Sequence, residues 1–297
     1  MEAGRSNIID LNDFSLADNR LTRRGDEICY DGWDSGMTSY VQTWANYQRL
    51  AEERGLLVAT IVEHFMPLTG KNVLDFGCGV GGTARCLATR GASVTAVDIN
   101  PEPAKRLTHP GIRFVHAAQE KLYFLPQVYD VVVLQDVLEH LTQSEKILKQ
   151  IRGSLLPDGV IFISTPNRYS ILNLISDPHW QLPLVAMLPR RMVILLVQKI
   201  FRRDRRQRED WPALLSLPHL RRLLVGQGFR VRLVNQVAAE VLFQHPQAVV
   251  CRALHLQLVD WLKRYHCQAM VQRLVNDHYG IFNFIINPTW YVIGQRT

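Results

Sequence analysis

Three short segments of the chain are apolar at almost every position, rather than at every second one. They read KNVLDF (71–76), DVVVLQ (130–135) and GVIFIST (159–165). A strand with this pattern is buried on both faces, as in a parallel sheet that is covered by helices. The pattern therefore predicts an α/β protein.

Predicted helices alternate with these strands along much of the chain. Apolar spacing predicts a helix at 47–66, and a second helix at 81–91 ends at Gly91. Thr142 and Glu145 match a capping box, which starts the helix after the fourth strand at Thr142. The other predicted strands are SVTAVD (93–98), IRFVHA (112–117), FRVRLVN (229–235) and TWYVIGQR (289–296). Such alternation is typical of α/β folds.

The regular alternation is interrupted twice. Residues 166–212 contain several prolines and an arginine cluster, and a helical stretch at about 238–277 precedes the last strand. We therefore expect an irregular segment at 1–45 that could close over a site. A single domain at 46–297 follows, with insertions at 166–212 and 238–285.

Composition describes a protein that does not cross a membrane. The chain has 297 residues, of which 47% are hydrophobic and 21% are charged. The longest apolar run, MVILLV (192–197), is far short of the roughly 20 residues of a spanning helix. The five cysteines are scattered and the first residues lack an apolar signal core, so we expect a cytoplasmic protein. A net charge of +7 suggests an anionic partner or surface.

A glycine-rich turn, VLDFGCGVGG (73–82), joins the first buried strand to a helix. Bare backbone at such a turn lets a ligand approach closely and presents helix N-terminal amides. Gly77, Gly79 and Gly82 satisfy the dinucleotide pattern G-x-G-x-x-G, and Asp98 follows about 20 residues later. An NAD(P)-dependent oxidoreductase is therefore one interpretation, although the chain lacks a Tyr-x-x-x-Lys pair. A tight structural turn is another.

The wider sequence resembles the class I S-adenosylmethionine-dependent methyltransferases. DFGCGVG (75–81) resembles their motif I, and YDVVVLQDVLEHL (129–141) and LLPDGVIFISTPNR (155–168) follow at the family's spacing. DVLEH and STPNR are most similar to the ubiquinone-biosynthesis type of O-methyltransferase. The resemblance covers roughly 47–165 well. It implies a Rossmann-like, mostly parallel seven-stranded sheet with helices on both faces, an antiparallel last strand and helical insertions.

The resemblance also implies which residues bind S-adenosylmethionine. Asp75 would hold the amino end of the methionine moiety, and Asp98 would accept hydrogen bonds from both ribose hydroxyls. The glycine turn would pass beneath the cofactor, and Ile99 would pack on the adenine. Many relatives bind the adenine amino group through an acid, but this chain has Ala118 and Gln119 there, so the Gln119 amide or backbone groups would serve. The full predicted cofactor set is Asp75, Gly77, Cys78, Gly79, Gly81, Asp98, Ile99, Gln119, Gln135 and Asp136.

Candidate catalytic residues follow the fourth strand, because open α/β sheets bind ligands at the carboxyl ends of their strands. His140 is the predicted general base, since its ordinary pKa lies near neutral pH. A histidine that braces the loop is the structural alternative. Glu139 is the second catalytic candidate, with a salt bridge or loop hydrogen bond as its alternative. Asn167 could orient a substrate or form an Asx turn. No residue spacing indicates a metal site.

The insertion at 166–212 is the expected specificity element. Its apolar residues could line a pocket for a lipophilic acceptor. The stretch 184–208 could also contact an anionic membrane, with its arginines at the headgroups. The alternative is that the apolar residues pack on the sheet and the arginines are solvated. We do not expect a nucleic acid partner, because no aromatic residues are interleaved with the arginines. A cofactor fold that has become a non-catalytic membrane adaptor is a third interpretation of the whole chain.

Overall fold

The N-terminal region contains a short hairpin. The computed structural model describes residues 21–24, 27–30, 44–100, 107–117, 126–180, 182–200, 211–250 and 253–297. Strands β1 (Leu21–Arg24) and β2 (Glu27–Tyr30) pair antiparallel with each other. The sequence between them is Gly-Asp, a pair typical of hairpin turns. Both strands lie within the segment predicted to be irregular at 1–45, most of which is outside the described residues.

Seven further strands form one sheet. They are β3 (Asn72–Phe76), β4 (Ser93–Asp98), β5 (Ile112–His116), β6 (Tyr129–Gln135), β7 (Leu155–Pro166), β8 (Phe229–Leu233) and β9 (Thr289–Arg296). Their spatial order is β5-β4-β3-β6-β7-β9-β8. The pairs from β5 to β7 are parallel, whereas β9 runs antiparallel to both β7 and β8. The predicted Rossmann-like sheet with an antiparallel last strand is confirmed.

Helices cover both faces of this sheet. They are α1 (Trp44–Phe65), α2 (Gly82–Thr89), α3 (Ser144–Ser154), α4 (Ile171–Ile175), α5 (Arg190–Ile194), α6 (Leu217–Gly226), α7 (Asn235–Gln244), α8 (Pro246–Val249), α9 (Ala253–Arg264), α10 (Gln268–Leu274) and α11 (Ile281–Ile286). Alternate residues of β6 enter two different cores. Val131 and Val133 pack with α1, α2 and α7, whereas Val132 and Leu134 pack with α3 and α6. Burial on both sides explains why these strands are continuously apolar.

Two predicted boundaries differ from the structure. α3 begins at Ser144 with Gln143 at its N-cap, two residues after the start predicted at Thr142. β7 begins at Leu155 rather than at residue 159, because Leu155 already pairs with Tyr129 before the register shifts. Asp158 lies within this irregularity with a φ of 63°, so the predicted Pro-Asp-Gly turn signal appears as a bulge in a longer strand.

The stretch after β7 has a small core of its own. It contains α4, a 3₁₀ turn (Val185–Met187), α5 and a π-helical turn (Leu195–Ile200). Its buried apolar residues form a cluster that is separate from the two cores on the sheet: Trp180, Leu182, Val185, Val193, Val197 and Trp211. This core holds the stretch in place above the carboxyl end of the sheet. Within the described ranges, every helix is too short or too polar to cross a bilayer.

Candidate active site

The turn from β3 to α2 forms a cradle of bare backbone. Gly77, Gly79 and Gly81 all have positive φ, at 78°, 50° and 74°. A Cβ at Gly77 would lie 2.5 Å from Val137, but a Cβ at Gly79 would meet no atom of the described residues within 4 Å. The turn needs glycine for its conformation, and at Gly79 the space above the backbone is open to a ligand. The adjoining cleft is lined by Ala51, Arg54, Gly77, Cys78, Gly79, Val80, Gly82, Thr83, Gln135 and Asp136.

Asp75 lies beneath this cradle with a side chain that is only partly satisfied. The residue is 1% exposed and accepts a hydrogen bond from the Ala84 amide. Its Oδ2 has no hydrogen-bond partner among the described residues. Burial and the nearby Asp98 carboxylate raise the pKa of Asp75 to about 7. A buried carboxylate with an unused oxygen fits a cationic group such as the ammonium of S-adenosylmethionine.

Asp98 ends β4 and faces the same turn. Its Oδ2 accepts from the Gly79 amide and its Oδ1 from the Asn100 amide, both at 2.8 Å. Burial raises the pKa of Asp98, and these hydrogen bonds oppose the rise. Each carboxylate oxygen can accept a second hydrogen bond, so the two ribose hydroxyls predicted here fit the remaining lone pairs.

Arg54 of α1 is the cationic residue of the cleft. It forms an ion pair with Asp136, which directly follows β6 and has a φ of 55°. Ser164 also donates to Asp136, at 2.9 Å. Burial raises the pKa of Asp136, but Arg54 and Ser164 together hold it below its ordinary value. Arg54 thus lies in the lining of the cleft.

The other predicted cofactor residues have different surroundings. Gln135 accepts a hydrogen bond from the Thr83 hydroxyl at 2.5 Å, which joins the end of β6 to the start of α2. Cys78 is a buried free thiol whose pKa is raised by burial and by nearby Asp98 and Asp75. Ile99 is half-buried and packs against the core on the α3 and α6 side of the sheet, and its contact with adenine stays a prediction. Gln119 lies outside the described residues.

Glu139 and His140 lie at the carboxyl end of β6, as predicted. Glu139 is 1% exposed, and its Oε2 accepts from Thr165 at 2.9 Å. Its Oε1 has no partner in the described part of the chain. Burial raises the pKa of Glu139 to about 7, against the opposing effect of His140. Glu139 is therefore held by a loop hydrogen bond and still presents an acceptor oxygen.

His179, which sequence reasoning missed, joins this pair. The ring centroids of His140 and His179 are 5.2 Å apart, at an angle of 79°. One donor atom each from Glu139, His140 and His179 lie within 4.8 Å of one another, a spacing that could hold a metal ion. His179 comes from the irregular stretch after β7, where no periodicity marks it out. The prediction of no metal site stays a prediction.

Asn167 is a structural residue. Its side chain donates to the carbonyls of Phe284 and Asn287, at 2.8 and 2.7 Å, and accepts from the Tyr169 amide at 3.0 Å. It is fully buried, so it does not orient a substrate. The Asx-turn alternative describes it correctly, and its amide also connects two distant parts of the chain.

Comparisons with known proteins agree with this geometry. A family model described as a methyltransferase domain matches residues 46–234. A solved structure, an S-adenosylmethionine dependent methyltransferase from Mesorhizobium loti, aligns with a TM-score of 0.50 at 15% identity. The alignment covers 80% of this chain and 95% of that structure, and it supports the fold.

Two curated relatives are named ubiquinone biosynthesis O-methyltransferase. The protein of Aeromonas salmonicida is 36% identical over 114 residues, which are 34% of this chain and 45% of the relative. The mitochondrial protein of Schizosaccharomyces pombe is 34% identical over 117 residues, 36% of this chain and 42% of the relative. The chain thus spans less than half the length of these relatives. The family match is broader, and the chain belongs to the methyltransferase domain family, as a class I S-adenosylmethionine-dependent methyltransferase.

Proposed function

We propose that this protein transfers a methyl group from S-adenosylmethionine to a hydroxyl group of a small or lipid-linked acceptor. The observation that carries the proposal is the placement of Glu139 and His140 after the carboxyl end of β6, three and four residues beyond Asp136, which lines the cleft. An acid with an unused oxygen and an imidazole are the groups that a hydroxyl needs to lose its proton. The names of the partial relatives support O-methylation.

Three charged side chains would hold the cofactor. Asp75 would pair with its ammonium through Oδ2, and Asp98 would accept from the ribose. Arg54, the cation of the cleft, would pair with the carboxylate of the cofactor, and its ion pair with Asp136 would either be kept or be broken when the cofactor binds. When bound, S-adenosylmethionine supplies a methyl group on a positively charged sulfur, which is already an activated leaving group.

His140 would then serve as the general base. The cofactor would supply the methyl group to the acceptor oxygen, with the electron pair of the broken bond between carbon and sulfur left on sulfur. A ring nitrogen of His140 would take the hydroxyl proton. Glu139, directly next in the chain and hydrogen-bonded to Thr165, would stabilise the imidazolium that forms.

The stretch after β7 favours a lipophilic acceptor. Six of its large apolar side chains are between 46% and 65% exposed: Ile171, Ile175, Leu184, Met187, Met192 and Leu195. Arg190 and Arg191 lie among them. Basic and apolar residues together suit an anionic membrane surface, so contact through 184–208 is part of the proposal, although 201–210 lie outside the described residues.

Calorimetric titration with S-adenosylhomocysteine, NADH and NADPH tests the cofactor assignment. We expect micromolar binding of S-adenosylhomocysteine alone. Binding of a nicotinamide cofactor in its place would favour the oxidoreductase interpretation. Radiolabelled methyl transfer to decylhydroquinone in detergent micelles then tests the acceptor class. Cofactor binding without transfer to this probe or to other hydroxylated acceptors would count for the non-catalytic adaptor.

A further inference from the structure

The stretch after β7 contributes a residue to the reaction centre. We propose that His179 is a positioning residue that fixes the ring of His140 by edge-to-face contact. This inference rests on the proposed function, because it takes His140 as the general base. It makes the stretch between β7 and α6 part of the catalytic apparatus rather than only a cover over the acceptor.

His179 is held rigidly from its own side. The Asp177 side chain, which is 1% exposed, accepts through Oδ1 from the amides of His179 and Trp180 at 2.8 and 2.9 Å. The next residue, Trp180, stacks on Trp211 with 5.2 Å between the ring centroids. The loop that carries His179 is thus fixed both by an Asx-type turn and by the small core of its own stretch.

The same stretch is also anchored at Glu139. The Glu139 carbonyl accepts from the Ala213 amide at 2.9 Å and from the Arg190 side chain at 3.3 Å. The two donors, Arg190 and Ala213, both follow His179 in the chain and lie more than 20 residues apart. The backbone beside His140 is therefore tied to the stretch that carries His179.

The contact solves a geometric problem for a histidine base. Rotation about the last side-chain bond of histidine has broad minima, so the plane of the ring, and with it the direction of its nitrogens, is only loosely set by the side chain itself. The His179 ring stands at 79° to His140 at 5.2 Å, which is a T-shaped aromatic contact. Such a contact fixes the plane of the His140 ring. Groups of Asp136, Glu139 and Asp177 also surround the pair.

Two substitutions separate ring packing from every other role of His179. His179→Phe keeps an aromatic ring but no nitrogen, whereas His179→Ala removes the ring. We expect H179A to lower kcat with decylhydroquinone about 10-fold at nearly unchanged KM, since small misplacements of a catalytic group are costly. H179F should restore most of the loss. His278→Ala, at an exposed position, is the control and should behave as the wild type.

Imidazole NMR of the complex with S-adenosylhomocysteine gives a readout that needs no acceptor. Sharp His140 ring signals are expected in the wild type and H179F, and shifted or broadened signals in H179A. Unchanged signals in H179A would overturn the proposal. So would equal losses of turnover in H179A and H179F, or abolition of wild-type turnover by EDTA, which would make His179 a metal ligand. If the wild type methylates no hydroxyl, the proposed function fails, and the NMR comparison still decides the positioning of His140.

Discussion

At the scale of single residues, Asp75 is placed at a cost to the fold. A carboxylate with a pKa of about 7 in the folded chain and an ordinary value of 3.8 binds its proton more tightly when folded. Asp75 therefore lowers the free energy of unfolding progressively as pH rises from about 4 to 7, and this loss of stability is complete above pH 7. Such a residue is retained for binding rather than for folding.

Replacing Asp75 by Asn should separate these two effects. D75N keeps an acceptor for the Ala84 amide but removes the buried charge. We expect it to raise the free energy of unfolding at pH 8 by on the order of 1–3 kcal/mol, and to weaken binding of S-adenosylhomocysteine about 10- to 100-fold. Thermal unfolding at pH 5 and 8 and calorimetry measure both. Asp130→Asn, which breaks the ion pair with Lys71 away from the cleft, is the control. Unchanged affinity in D75N would remove Asp75 from the cofactor site.

The raised pKa of Asp75 also predicts proton release on binding. At pH 6 this carboxyl is mostly protonated, and an arriving ammonium lowers its pKa, so the proton leaves as the ligand binds. Affinity for S-adenosylhomocysteine should fall as pH drops below 7. Calorimetry in buffers of different ionisation enthalpy counts the protons released. The release should vanish in D75N; if it persists, another group such as Glu139 is its source.

At the scale of elements, a glycine in the turn from β3 to α2 can be compared with a glycine outside the cleft, to distinguish the needs of folding from those of ligand binding. Gly79 and Gly70 both have positive φ, at 50° and 73°, and at either position a Cβ would have no neighbour within 4 Å in the described part of the chain. Only Gly79 lies in the cleft. The two glycines therefore carry the same backbone requirement with different consequences for a ligand.

Alanine at these two glycines makes a matched test. Each substitution should cost about 1–2 kcal/mol of stability, because alanine is strained in the left-handed region. Only Gly79→Ala should also weaken binding of S-adenosylhomocysteine strongly, since its methyl group enters the space of the ligand. Denaturant unfolding and calorimetry on both variants give the comparison. Equal affinities would mean that the cofactor does not pass over Gly79.

The amide of Asn167 carries the contact between the stretch after β7 and the one before β9. Asn167→Ala leaves buried carbonyls without donors and should lower the free energy of unfolding by about 2–4 kcal/mol. Asn72→Ala, at an exposed position, should change it by less than about 0.5 kcal/mol. Urea unfolding measures both. A neutral N167A would show that other contacts hold these stretches together.

The elements differ in how well the sequence predicts them. β3, β6 and β7 are plain in the sequence because burial on both faces leaves an apolar run. Burial also places Asp75 and Asp98 at predictable strand ends. His179 and Arg54 were not assigned, because their roles depend on where an irregular loop and a long helix meet the sheet. Asn167 had two interpretations that only its buried partners, Phe284 and Asn287, could separate.

At the scale of the whole molecule, the exposed apolar residues give a test of membrane contact. Met192 and Leu258 are both 49% exposed, but only Met192 lies in the stretch 184–208. Met192→Ser should reduce sedimentation with vesicles that contain anionic lipid about threefold or more, since apolar burial and charge both drive such binding. Leu258→Ser, equally exposed on α9, should not. Equal binding of both variants and the wild type would place the contact elsewhere.

The hydrogen bonds of Asn167 and Asn173 to the segment before β9 have a consequence for how such a protein can change its acceptor. Residues 167–173, after β7, are hydrogen-bonded through their asparagine side chains to residues 283–288, which lie more than 100 positions later in the chain. If one stretch is exchanged alone, the asparagine amides and the backbone carbonyls that now pair with each other lose their hydrogen-bond partners. A graft that transfers acceptor preference between relatives therefore has to carry both stretches together, and a lineage that acquires a new acceptor has to alter them as one inherited unit.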